Sequence, residues 1–167
     1  YWKPKQFIVA NNQSDIKKKD DYIYDFEKTI KNVVKDSLIS DVPTGIFLSS
    51  GVDSSLIASI AKNVTQEKIN TFSLGVVKNN DYNELKASEK IAKYLNSNHH
   101  SFQIYEKEII DNLEDALNSY DEPFADSSQI LTFLLCKKSR KHIKVALTGD
   151  GGDELFGGYN RHFLIYY

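Results

Sequence analysis

The segment Leu48-Ser49-Ser50-Gly51-Val52-Asp53-Ser54-Ser55 carries the residue types of an anion cradle. An apolar run ends there, small residues follow, one acid sits among them, and a helical pattern begins. Backbone N–H groups at the start of a helix point outward with partial positive charge, which suits phosphate oxygens. Small side chains let the backbone approach the anion, Gly51 permits a positive φ, and the hydroxyls of Ser49, Ser50 and Ser54 add donors. Asp53 carries the most information. A carboxylate beside a phosphate repels it unless a cation stands between them, and Mg²⁺ binds through one or two carboxylates plus substrate phosphates. The plainer reading, a Ser-Ser-Gly turn followed by an Asp-Ser helix cap, accounts for the same residues. The spacing is neither G-x-x-x-x-G-K-[ST] nor G-x-G-x-x-G, so two familiar phosphate loops are excluded.

A second unusual stretch runs Thr148-Gly149-Asp150-Gly151-Gly152-Asp153-Glu154-Leu155-Phe156-Gly157-Gly158-Tyr159. It holds five of the chain's eight glycines, with three acids interleaved. Ordering so many glycines costs conformational entropy, a cost tolerated where backbone must pass very near something. The acid order is not that of a calcium-binding EF-hand loop. Leu155-Phe156 amid the glycines predicts a packed, ordered loop.

The elements that must hold these loops alternate. Ile23, Phe26, Ile30, Val33, Val34 and Leu38 fall at helical spacing and predict a helix from Asp20 with one apolar face. Asp41 to Gly45 breaks it, and Ile46-Phe47-Leu48 reads as a buried parallel strand. Ser54 or Ser55 is the expected cap of a helix through Leu56, Ile57, Ile60 and Ala61. Strand Ile69 to Val77, helix Asn83 to Leu95 and strand His100 to Ile104 follow. Helical patterns over Glu106 to Leu117 and Ser128 to Lys141 precede a fourth buried strand, Val145 to Leu147. The alternation predicts an α/β fold: a three-layer, Rossmann-like parallel sheet with helices on both faces. Both loops then leave buried strands at the carboxyl edge, where ligands bind in such sheets.

Composition narrows the function classes. Twenty-one basic and 23 acidic side chains in 167 residues leave a net charge of −2, which favours neither nucleic acid nor an anionic membrane. No apolar run reaches the roughly 20 residues of a membrane span. The lone Cys136, in the apolar stretch Ile130 to Cys136, is expected to be a buried core thiol, and a reducing, cytoplasmic setting follows as the default. Tyr22, Tyr24 and Phe26 are expected in core and helix surface rather than as a base-stacking platform. His99 and His100 are adjacent on a strand and must face opposite ways, which favours structural roles over metal binding. With no methionine and a start at Tyr1, the chain is expected to be a fragment.

Taken together, Leu48 to Leu56, Thr71-Phe72-Ser73-Leu74-Gly75, His99-His100, Asp121-Glu122-Pro123-Phe124-Ala125-Asp126-Ser127-Ser128 and Leu147 to Tyr159 occur in the order found in glutamine-dependent asparagine synthetases. The first loop resembles the PP-loop, S-G-G-x-D-S, of the ATP pyrophosphatases, with Ser50 in place of the first glycine. The resemblance covers nearly all of Asp20 to Arg161 and implies an adenine nucleotide alpha hydrolase-like fold. It implies that Leu48, Ser49, Ser50, Gly51, Asp53 and Ser54 hold the ATP phosphates. It places the backbone of Leu74 on adenine and Thr148 and Gly149 on the nucleotide, and makes Asp53 and Asp153 the Mg²⁺-linked carboxylates.

Asp150 matches the position of a base that deprotonates incoming ammonia, although ordering the loop explains it equally. Asp126 either lines a substrate pocket or helps to cap the next helix. The implied substrates are aspartate, ATP and ammonia released from glutamine. Residues 1–19 are then a linker after a glutaminase domain, and residues 20–167 the N-terminal part of a synthetase domain that continues past 167 with further lysines, so the fragment alone is expected to be inactive. A homodimer is compatible with the sequence and not required by it. Two other readings share these loops: a related amidotransferase acting on another carboxylate or a sugar, and a non-catalytic nucleotide-binding domain.

Overall fold

Four short strands form one parallel sheet, with the helices between them packed on it, in the computed structural model, which describes residues 19–77, 83–122 and 126–164. The expected linker, but for Lys19, and Pro123 to Ala125 lie outside the described residues. The elements are α1 (Lys19–Ser37), β1 (Thr44–Phe47), α2 (Val52–Val64), β2 (Asn70–Val76), α3 (Asn83–Tyr94) and β3 (Asn98–Ile104). There follow α4 (Glu106–Asp111), α5 (Leu113–Asn118), α6 (Gln129–Ser139), β4 (Val145–Leu147), α7 (Gly152–Phe156) and α8 (Asn160–Leu164). Strand order is β3-β2-β1-β4, every pair parallel. The chain therefore steps outward from β1 through β2 to β3, then returns to the other side of β1. The gap between β1 and β4 is the topological switch point, where open α/β sheets bind ligands.

Alternation along the strands divides the two faces. Ile46, Leu48 and Ile69 pack with Val34 of α1, Ala58, Ile60 and Ala61 of α2, Ala92 of α3 and Leu95 just after it. On the opposite face Phe72 is fully buried and stacks on His100, and α6 contributes the buried Leu134. Helices on both faces make the three layers expected. His99 and His100 face opposite layers as predicted: His99 Nδ1 lies 2.9 Å from Thr71 Oγ1, while the His100 ring sits 4.2 Å from that of His142.

Several local expectations fail. Helix α2 begins at Val52, not at Ser54 or Ser55, with Gly51 at its N-cap and no side-chain cap. The predicted helix Glu106 to Leu117 is two, broken at Asn112, whose side-chain amide donates to the Glu108 carbonyl at 2.8 Å. Third, α1 forms as expected, but Ile23, Phe26 and Val33 of its apolar face are exposed and only Val34 is buried. The spacing gives the helix, but Ile23 and Val33 of the stripe stay more than half exposed. Phe26 instead meets Phe156 edge-on at 5.3 Å. Cys136 is exposed rather than a core thiol, because it lies on the turn of α6 that faces a cavity. Partial burial still pushes its thiol pKa upward.

Candidate active site

Ile46 is in register with Leu147, so the chain leaves β1 and β4 side by side. Leu48 continues the sheet by one residue: its N–H donates to the Phe72 carbonyl at 2.8 Å, and its own carbonyl accepts from the buried Ser73 hydroxyl. The next residues fold into a loop stitched by side chains. Ser49 N–H donates to Ser54 Oγ (3.1 Å), the two hydroxyls lie 2.8 Å apart, and Gly51 N–H donates to Ser49 Oγ (3.0 Å). Ser55 Oγ donates to the Gly51 carbonyl at 2.7 Å. Ser54 is only 7% exposed, so its hydroxyl serves the loop's shape.

Two backbone expectations resolve differently. Gly51 has φ −73°, so its capacity for positive φ goes unused; a Cβ there would instead sit 3.1 Å from Ser49 Oγ. Ser50 has no positive φ, so serine is tolerated where the PP-loop pattern has glycine.

The second loop lies directly on the first. A Cβ on Gly149 would come within 2.7 Å of Ser54 N, and one on Gly152 within 2.6 Å of the Asp53 carboxyl carbon. At Gly149 a side chain would run into backbone, and at Gly152 it would have to displace the Asp53 carboxylate, which is the physical reason glycine suits both places. Gly151 is left-handed, with φ 90°, and turns the chain into the short helix α7; Leu155 and Phe156, expected to pack the loop, are instead exposed. Gly157 (φ 71°) ends it. The Asp153 carboxylate lies over the backbone of Gly158. Thr148 Oγ1 accepts from the Asp150 N–H at 3.3 Å.

Between the loops and α6 is a cavity of about 850 Å³. Ser49, Gly51, Asp53, Ser54, Thr148, Gly149, Asp150 and Asp153 all border it. Leu48 and Leu74 do not. They line an adjoining cavity of about 300 Å³, which also meets Ser49, so the two spaces join at the start of the loop. Ser50 is exposed and borders neither. Residues that the sequence reading missed are Phe47, Thr132 and Leu135, which form the wall shared by both spaces or bordering the larger one. The signal for Phe47 was strand alternation, which aims it away from Ile46. Thr132 and Leu135 depended on how α6 is rotated, and its weakly one-sided sequence does not settle that.

The electrostatics of the larger cavity are one-sided. Asp53, Asp126, Asp150, Asp153 and Glu154 border it, and among the described residues no lysine, arginine or histidine does. Asp126 accepts from both the N–H and the hydroxyl of Ser128 at 2.8 Å, which holds its carboxyl below its usual pKa. Those bonds tie Asp126 to Ser128, the N-cap residue of α6, which has no side-chain cap of its own, and leave Asp126 on the cavity wall. The Tyr159 phenol donates to Glu154 Oε1 at 2.6 Å; this lowers the Glu154 pKa and raises that of the phenol. A polyphosphate would be repelled by this wall unless a divalent cation came with it. Oxygen donors alone suit Mg²⁺, and no described cluster of three or more such residues is assembled to hold an ion unaided. Ligand oxygens would therefore have to complete its shell.

Against known families, the model for asparagine synthase matches residues 25–166. The chain belongs to the asparagine synthase family. Among relatives, it is 36% identical over 152 residues to the putative glutamine-hydrolyzing asparagine synthetase 2 of Methanocaldococcus jannaschii, covering 86% of this chain and 29% of that protein. It is 35% identical over 156 residues to glutamine-hydrolyzing asparagine synthetase 1 of Bacillus subtilis, covering 93% and 24%. The chain thus spans under a third of the relatives it matches. Among solved structures, the NH3-dependent NAD synthetase of Campylobacter jejuni aligns with a TM-score of 0.53 at 20% identity, over 82% of this chain and 60% of that one. That likeness bears out the Rossmann-like fold. No described helix of this asparagine synthase family chain is long and apolar enough to cross a membrane.

Proposed function

We propose that this chain is the ATP-binding part of a glutamine-dependent asparagine synthetase. The carrying observation is the acid-rich, cation-free cavity held between a serine-stitched loop and a glycine loop at the switch point of the sheet. In this reading the backbone from Leu48 to Ser54 receives the phosphates, Leu48 and Leu74 border the base, and Thr148 and Gly149 meet the rest of the nucleotide. Asp53 and Asp153, together with the phosphates, would hold Mg²⁺, which would supply charge neutralisation for the departing pyrophosphate.

The side-chain carboxylate of aspartate attacks the α-phosphorus of ATP; the bond to the bridging oxygen breaks and pyrophosphate leaves, giving β-aspartyl-AMP. Ammonia then attacks the acyl carbon and AMP departs, giving asparagine. Asp150, exposed on the cavity, is the group assigned to take the ammonium proton, since ammonium must lose one to become a nucleophile. Preorganised loop donors supply the larger share of the catalysis. Release of ammonia by a glutaminase domain and a cytoplasmic location belong to the same proposal.

Isotope exchange between labelled pyrophosphate and ATP in the full-length protein tests it. Exchange dependent on aspartate is expected. Exchange with a different carboxylic acid and not with aspartate would refute the substrate, and none with any acid would refute the reaction.

A further inference from the structure

The smaller cavity is walled mainly by apolar groups, Leu48, Phe72, Leu74, Leu131 and Leu135, yet one acid stands at it: Glu84. Its place is set by packing. Leu85 is buried and pressed against Gly75 so closely that a Cβ at Gly75 would overlap it. This seats the first turn of α3 against the carboxyl half of β2 and brings Glu84 to the cavity rim, where Leu74 lies. Among the described residues the Glu84 carboxylate makes no ion pair or hydrogen bond.

We infer that Glu84 is a base-selecting residue, its carboxylate accepting a hydrogen bond from the 6-amino group of adenine. The inference rests on the nucleotide reading above and deepens it. With phosphates at Ser49 to Ser54, a nucleotide must enter the smaller cavity through the junction at Ser49, base foremost, because apolar walls suit the flat faces of a purine and not its phosphates. The sugar then lies at the junction, and Glu84, which borders only the smaller space, faces the base. An ionised carboxylate only accepts hydrogen bonds. The exocyclic amine is the donor that adenine offers, and a charge-assisted bond to it separates adenine from a purine lacking that amine.

The test compares ATP with purine riboside triphosphate, which lacks only the 6-amino group, in pyrophosphate exchange by the full-length protein. The unmutated protein should favour ATP in kcat/KM by about tenfold or more, the scale of one hydrogen bond to a charged group. In Glu84→Ala that preference should shrink about fivefold or more, mostly through KM, while Glu84→Gln, which keeps an acceptor oxygen, should retain part of it. A role confined to favouring the start of α3 would weaken both nucleotides equally and leave the ratio unmoved. An unchanged ratio in Glu84→Ala overturns the inference. So does equal use of the two nucleotides by the unmutated protein, which needs no variant to fold. Absence of exchange with ATP and every acid would instead refute the proposed reaction on which the inference rests.

Discussion

The two loops at the carboxyl edge are ordered by opposite means. Ser49 to Ser55 is held by its own side chains, with hydroxyls and amides exchanging short bonds at the head of α2, whose Ala58, Ile60 and Ala61 are anchored in the core. Gly149 to Tyr159 makes few such bonds. It is placed by contact, Gly149 against the backbone of Asp53 and Ser54 and Gly152 against the Asp53 carboxylate, and it leads into a five-residue helix whose Leu155 and Phe156 are 80% and 66% exposed. The first loop is a cradle with its own rigidity; the second is an acid-bearing arm that takes its position from the first. Asp53 belongs to the cradle and Asp153 to the arm, so the proposed sharing of one cation between them depends on how closely the arm is seated.

This contrast can be broken at its joint. In the full-length protein Asp53→Asn should lower pyrophosphate exchange by about 100-fold or more, since no other carboxylate of the cradle can replace it. Full activity in that variant would refute a metal role. Gly152→Ala comes next. A methyl group must displace either the Asp53 carboxylate or the arm, so exchange should fall by about 10- to 100-fold with the thermal midpoint nearly kept. An unimpaired Gly152→Ala would mean that the arm is not seated on the cradle as described.

Ser54→Ala probes the stitching instead. Losing the buried hydroxyl should destabilise the protein by about 1–2 kcal/mol and raise the KM for ATP, leaving Ser49 N–H without its partner. Unchanged stability and KM would show that the cradle does not depend on its side chains. The smallest effect is expected from acid, and it acts at the opposite edge of the sheet. Burial lowers the pKa of His99 and, with His142 beside it, that of His100. The unfolded chain therefore binds those protons more readily, so stability should be level above about pH 6.5 and decline as pH falls below it. His99→Gln should flatten the decline in thermal midpoint. A midpoint indifferent to pH between 7 and 5 would contradict the assigned burial.

Much of this was readable in the chain because burial writes itself into strand composition. Ile46-Phe47-Leu48 has no polar alternation, as a strand covered on both sides requires; Val145-Ala146-Leu147 reads the same way, yet it lies at the sheet edge with none of the three buried and Val145 exposed. Both loops could be picked out as well, since small residues beside acids have few uses in a soluble domain. What escaped were properties that depend on a neighbour. The stripe of α1 gave its helix correctly but not what covers it, and Cys136 ended an apolar run without being enclosed by one. Gly51 permits a positive φ that it does not use, because the need for a small residue there comes from Ser49 Oγ and not from the local backbone.

The division follows from range. Sequence alone determined the alternating elements and the residue types that each loop offers, because those follow from near-neighbour spacing, and the order of its motifs carried the resemblance to the family. Only the tertiary structure decided that Gly149 and Gly152 touch Asp53 and Ser54 across about a hundred residues of chain, and that Glu84 and Leu74 share one cavity. Those are close approaches, and they exist only once strand order and helix packing have brought distant backbone together.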